Sequence, residues 1–230
     1  MENDVKSIAL SGGPKAGKTS AKRSIKRMVE REYGYWTIFV GETATEVIEA
    51  GFIPPKKPTS GDSKEMKEYY RTHIIFQLLI MGLQIAKERM WKLIAKLLRR
   101  KTLLVFDRAV GDNAGYLEKL TKDNKLYRIL LWLFGLTPEK VLEEYDGVIC
   151  LETSAKRKKF GEQDINDTTK RLEDDDNEAL EVDFYVTKGW KDHPNFVRIP
   201  ATETPEEKDE LIQEGVRQIL ERTMEKTLKK

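Results

Sequence analysis

Between Ser11 and Ser20 the chain reads Ser-Gly-Gly-Pro-Lys-Ala-Gly-Lys-Thr-Ser, which carries the pattern G-x-x-x-x-G-K-[ST] from Gly12 to Thr19. Glycines let a backbone turn with its N–H groups pointing inward, and the start of a following helix adds partial positive charge, so such a loop cradles phosphate oxygens. The cradle is expected to comprise Gly12, Gly13, Pro14, Lys15, Ala16, Gly17, Lys18, Thr19 and Ser20. Lys18 should reach the β- and γ-phosphates of a nucleoside triphosphate, and the Thr19 hydroxyl should bind Mg²⁺. The alternative is a glycine-rich turn without a ligand. An apolar run before the loop and a helical pattern after it count against that.

A second acidic position follows from Leu103-Leu104-Val105-Phe106-Asp107, an apolar run ending in a carboxylate. At the carboxyl edge of an open α/β sheet, Asp107 would stand beside the phosphate loop and hold the magnesium directly or through water. Its alternative is to cap the next helix. Gln77 is polar amid Ile74, Ile75, Phe76, Leu78 and Leu79, and a buried amide needs partners. A ligand, backbone carbonyls or water would serve.

Elements must hold these residues together. Five short runs rich in β-branched and aromatic residues predict strands at Val5–Leu10, Trp36–Val40, Thr102–Asp107, Gly147–Leu151 and Phe196–Pro200. Most are continuously apolar, as in parallel strands covered on both faces. Helical periodicity is expected at Thr19–Arg31, Thr43–Glu49, Ser63–Arg100 with room for a break near Gly82, Asp112–Leu120, Lys125–Phe134, Pro138–Glu144 and Pro205–Leu228. Pro54, Pro55 and Pro58 make residues 51–62 an extended loop. Strand and helix alternate, which predicts an α/β, doubly wound, five-stranded parallel sheet with right-handed crossovers. Residues 1–230 are read as one domain, with a substrate-binding region at 42–100 and a lid at 153–188.

Three stretches beyond the phosphate loop carry a family resemblance. Asp107-Arg108-Ala109-Val110-Gly111-Asp112-Asn113-Ala114-Gly115-Tyr116 resembles a stretch of deoxynucleoside kinases and of NadR-like AAA domains. Phe39-Val40-Gly41-Glu42-Thr43-Ala44-Thr45-Glu46-Val47-Ile48 and Gly189-Trp190-Lys191-Asp192-His193-Pro194 are similar to segments of NadR-like AAA domains. The resemblance implies that Arg108 stabilises charge as a phosphoryl group moves, with a salt bridge to Asp112 or Glu42 as its alternative. It implies that Glu42 takes the proton of an attacking hydroxyl or aligns it; the alternative is a first-turn acid favoured by the helix dipole. Gln77, in a Phe76-Gln77 pair like that of these families, would read a base edge, and Asp112 joins the substrate side. An arginine-bearing lid over the phosphates would use Arg157 and Arg171. Here the segment departs from the kinase pattern, being lysine-rich from Lys156 to Lys159 and followed by Glu173–Asp176, with which it would otherwise pair on the surface.

Composition narrows the function. In 230 residues, 41 Lys and Arg nearly cancel 39 Asp and Glu, so global charge gives no pull towards nucleic acid. A single cysteine and no secretion-type N-terminus predict a cytoplasmic setting, and the longest apolar stretch, residues 74–85, is too short for a membrane span. His73 and His193 have no companions at zinc-ligand spacing. The expected activity is ATP- and Mg²⁺-dependent phosphorylation of a nucleoside-like small molecule, with GTP also open. The alternatives are a regulatory or mechanical NTPase and a polynucleotide 5′-kinase. The partners expected are a nucleoside triphosphate, a small-molecule acceptor and, as an allowed state, a second copy of the chain.

Overall fold

The computed structural model describes residues 4–59, 62–157 and 176–228. Five strands, β1 (Val5–Gly12), β2 (Trp36–Val40), β3 (Thr102–Asp107), β4 (Gly147–Leu151) and β5 (Phe196–Ile199), form one sheet in the order β2-β3-β1-β4-β5. Every neighbouring pair is parallel. The helices are α1 (Lys18–Glu32), α2 (Thr43–Glu49), α3 (Ser63–Leu97), α4 (Asp112–Thr121), α5 (Lys125–Leu133), α6 (Pro138–Glu143), α7 (Asp176–Trp190) and α8 (Pro205–Leu228), with a 3₁₀ turn at Ser154–Arg157. This is the doubly wound α/β class expected from the alternation of elements.

The two faces of the sheet bury separate cores, which explains the unbroken apolar runs of the central strands. Ile8, Leu10, Leu103, Val105, Ile149 and Leu151 pack under α1 and α8, against Ile25, Met28, Val216 and Ile219. Ala9, Leu104, Phe106 and Val148 face the other way, towards Met81 and Ile85 of α3, Leu117 of α4 and Val186 and Trp190 of α7. Strand register then fixes the site. Leu10 pairs with Asp107 across β1 and β3, and Val40 pairs with Phe106 across β2 and β3. The carboxyl ends of β2, β3 and β1 therefore lie side by side, where open α/β sheets bind ligands.

Two expectations change. The allowed break at Gly82 does not occur, and α3 runs for 35 residues. A side chain there would meet the Phe134 ring at 3.1 Å, so the glycine makes room for packing from α5. Residues 176–188, assigned from sequence to a lid without an element, lie in α7, which runs on to Trp190. Ala179, Val182, Val186 and Trp190 give it a buried stripe at helical spacing. Residues 158–175 lie outside the described residues, and with them Arg171; Arg157 ends the 3₁₀ turn. No helix among the described residues is long and apolar enough to cross a membrane.

Candidate active site

The loop from Gly12 to Gly17 is built by its neighbours as much as by its glycines. Gly12 has φ of 142°, and a Cβ there would stand 2.4 Å from the carbonyl oxygen of Leu151, so no other residue fits without moving β4. Gly17, at φ of 81°, is the N-cap of α1. Three successive loop carbonyls are tied outward by side chains. The Thr153 hydroxyl donates to Pro14 O at 2.7 Å, the Ser154 hydroxyl to Lys15 O at 3.0 Å and the Lys208 ammonium to Ala16 O at 2.9 Å. With those carbonyls held outward, the loop can present N–H groups to the cleft, which suits an anion. The Gly13 N–H donates to buried Asp183 at a long 3.4 Å, and Asp183 also accepts from Thr153 N and pairs with Arg198 at 2.5 Å.

Asp107 meets two lysines of α1. Lys22 makes a close ion pair with one carboxylate oxygen, and Lys18 Nζ lies 3.9 Å from the other. That second oxygen is buried and accepts no hydrogen bond among the described residues. A carboxylate oxygen left open in this way, with the Thr19 hydroxyl in the first turn of the adjacent helix, is a donor set that fits Mg²⁺. Burial lowers the Lys18 pKa, and Arg108 lowers it further, while Glu42, Asp107 and Asp112 oppose the shift. Lys22 escapes a motif search, although its place four residues after Lys18 puts both on one helix face.

Arg108 sits in the left-handed region at φ of 59°. Its N–H donates to Leu10 O at 3.1 Å, and its guanidinium Nε lies 2.5 Å from Glu42 Oε1, with the ring of Tyr116 5.1 Å away. Glu42 is the N-cap residue of α2 but makes no capping hydrogen bond; its carboxylate turns to Arg108 instead. Of the two acids that could pair with Arg108, the structure uses Glu42. Asp112 is buried and already engaged, by the Ser11 hydroxyl on one oxygen and by Ala109 N–H at 2.7 Å on the other. Burial raises its pKa, opposed first by Arg108.

Behind this pair runs a buried polar network. Gln84 accepts from the Thr43 hydroxyl and donates to Glu88 at 2.7 Å and to Arg108 O at 3.1 Å. Glu88 also accepts from Tyr145 OH at 2.5 Å and Val110 N–H at 3.2 Å. Burial pushes the Glu88 pKa up to about 7 even with these donors. The network joins α2, α3 and the turn after β3, so it fixes where Glu42 and Arg108 stand.

One cleft contains Lys18, Glu42, Asp107 and Arg108 and continues along α3 past Gln77 to Tyr69. Gln77 is buried, and its carbonyl oxygen has no partner among the described residues. Phe76 beside it meets Phe52 edge to face at 5.6 Å. His193 is elsewhere and structural: its ring nitrogens contact Tyr145 O at 3.0 Å and Asn195 N–H at 3.0 Å.

A parallel sheet whose first strand ends in this loop, with an acid ending the adjacent strand, defines a P-loop NTPase. A model of the AAA domain family matches residues 7–208, and the chain belongs to that family. No curated protein matches the sequence. Among solved structures, the fold is similar to deoxyadenosine kinase from M. mycoides with bound dATP, at TM-score 0.53 and 18% identity over 92% of this chain and 99% of that one. It is similar also to that enzyme with products dCMP and a flexible dCDP bound, at TM-score 0.56 and 18% identity over 93% and 99% of the two chains. At this identity the likeness is one of fold.

Proposed function

We propose that this protein transfers the γ-phosphoryl group of ATP to a hydroxyl of a small nucleoside-like molecule. The observation that carries the reading is the Glu42–Arg108 pair at 2.5 Å in the cleft that also holds Lys18 and Asp107. In this reading the loop amides and Lys18 hold the triphosphate, and Thr19 and Asp107 hold Mg²⁺, which when bound neutralises phosphate charge. Glu42 accepts the hydroxyl proton, or aligns that oxygen with the γ-phosphorus. Arg108 then faces the charge that grows on the transferring oxygens.

Gln77 supports an acceptor bearing a heterocycle. Its open, buried carbonyl oxygen would otherwise stay unsatisfied at a cost of about 1–3 kcal/mol. A ring N–H or amino group could supply the donor, with Phe76 and Tyr69 offering apolar faces nearby. The kinase activity named for the M. mycoides enzyme of similar fold agrees with this class of acceptor. Asp112, with both oxygens engaged, is assigned to holding the turn after β3 rather than to the acceptor.

Mass spectrometry after incubation with MgATP and a panel of nucleosides, nucleotides and oligonucleotide 5′-ends tests the proposal. A nucleoside-like acceptor gaining 80 Da, the mass of one phosphoryl unit, is the expected outcome, at a rate of roughly 1–100 s⁻¹ for a preferred acceptor. Hydrolysis of ATP with no phosphorylated acceptor would reject the reading in favour of an NTPase. Phosphorylation confined to oligonucleotide ends would reject it in favour of a polynucleotide kinase.

A further inference from the structure

The face of α3 opposite the cleft carries a row of exposed apolar side chains: Leu79, Leu83, Ala86, Met90, Leu93 and Leu97. Their spacing is four, three, four, three and four residues, an uninterrupted a/d pattern over almost three heptads. At about 100° per residue the row occupies a stripe some 80° wide, and Gln77 and Gln84 lie about 100° or more away from it. A helix that only closed the core of one chain would present charged or polar groups on this side. Leu97 is 70% exposed and Met90 62% exposed.

Neighbouring α5 widens the patch. It packs against α3 through Phe134 at Gly82, and it exposes Ile129, Leu133 and Trp132, the last to 73%. Together these side chains offer on the order of 1,000 Å² of apolar surface, more than the few hundred typical of a monomer and enough for one side of a stable interface.

The order of residues fits a second copy of the chain as the occupant. From Leu79 to Leu97 the spacing reads the same from either end, centred on residue 88, and Ile75, four residues before Leu79 and 46% exposed, continues the stripe beyond that symmetric stretch. Antiparallel pairing with a second copy therefore sets Leu79 against Leu97 and Leu83 against Leu93, each pair occurring twice. It also sets small Ala86 against long Met90, so that volumes alternate across the axis. A parallel pairing would instead stack Ala86 on Ala86 and leave a gap beside Met90 on Met90. A two-fold contact must be self-complementary in this way. We propose that this seam is a two-fold interface at which α3 packs antiparallel against α3 of a second copy of the chain. The cleft remains open in such a dimer, because Gln77 and Gln84 face away from the seam.

Light scattering coupled to size-exclusion chromatography at micromolar concentration should give twice the 26.6 kDa chain mass. Leu83→Asp and Leu93→Asp change exposed residues, so each should keep the wild-type circular dichroism while weakening association about 100-fold or more. The orientation is read separately. Ala86→Cys chains mixed with Met90→Cys chains, allowed to exchange and then oxidised, should form the mixed disulfide in preference to either like-with-like product. A monomeric wild-type chain would overturn the proposal and leave the seam to a different protein or a lipid surface. A dimer that survives both aspartates would place the interface elsewhere, and like-with-like disulfides would reject the antiparallel arrangement.

Discussion

Arg108 adopts a backbone conformation that a side-chain-bearing residue enters only at some cost, and it does so one position after Asp107, the carboxylate that ends β3. The turn is held by a hydrogen bond to Leu10 O, by Gln84 on its carbonyl and by Asp112 on the N–H of Ala109. Its guanidinium is therefore pre-placed, and Arg108→Ala should lower kcat by roughly 10²–10³ with little change in ATP affinity. Isothermal titration and steady-state rates check the two halves, and an equal loss in both would make Arg108 a nucleotide-binding residue only. Glu88 offers a pH test. A carboxyl raised to about 7 by burial favours folding most while protonated. That contribution is full below about pH 4.5 and is lost as pH rises through 7. Glu88→Gln stays neutral, so its stability relative to wild type should rise by about 2–3 kcal/mol between pH 4.5 and 8. Denaturant curves that stay parallel across that range would contradict the assignment.

At the scale of elements, the phosphate loop depends on β4, the 3₁₀ turn, α7 and α8 as well as on its own sequence. Gly12→Ala would drive a methyl group into the Leu151 carbonyl and should cost about 1–3 kcal/mol of stability, read by chemical denaturation, together with the loss of ATP binding. A variant as stable as wild type would mean that β4 can yield. The five strands and the loop were legible because buried parallel strands leave continuous apolar runs and the loop leaves a strict spacing of glycines. α7 was not, although Ala179, Val182, Val186 and Trp190 follow helical spacing. Its run Phe184-Tyr185-Val186-Thr187 is rich in strand-forming types, and tertiary packing on α4 overrides that preference. Glu42 and Arg108 could be named from the chain, with Glu42 and Asp112 as the two acids Arg108 could pair with, but the choice of Glu42 could not be read, since β2 and β3 meet only through the sheet register. The Thr43–Gln84–Glu88–Tyr145 network was hidden for the same reason: its members lie up to 102 positions apart along the chain.

Over the whole molecule, the strand order β2-β3-β1-β4-β5 decides what chemistry is within reach. With β1 central, its loop is flanked on one side by Asp107 and then Glu42, and on the other by the β4 segment whose Thr153 and Ser154 brace it. Charge is nearly balanced, so under the proposed function the field drawing a triphosphate in would be local, from Lys15, Lys18, Lys22 and Arg108, rather than from the net charge of +2. The acid and the arginine make a transferase rather than a hydrolase only if an organic hydroxyl competes with water for the γ-phosphorus. That competition is measured most directly by following the label from γ-³²P-ATP in wild type and in Glu42→Gln, with the preferred nucleoside present at saturation. Wild type should place most of the label on the nucleoside, whereas Glu42→Gln should bind ATP normally and transfer at least about 10²-fold more slowly. Label appearing only as inorganic phosphate in wild type, or equal transfer by the two proteins, would contradict the account.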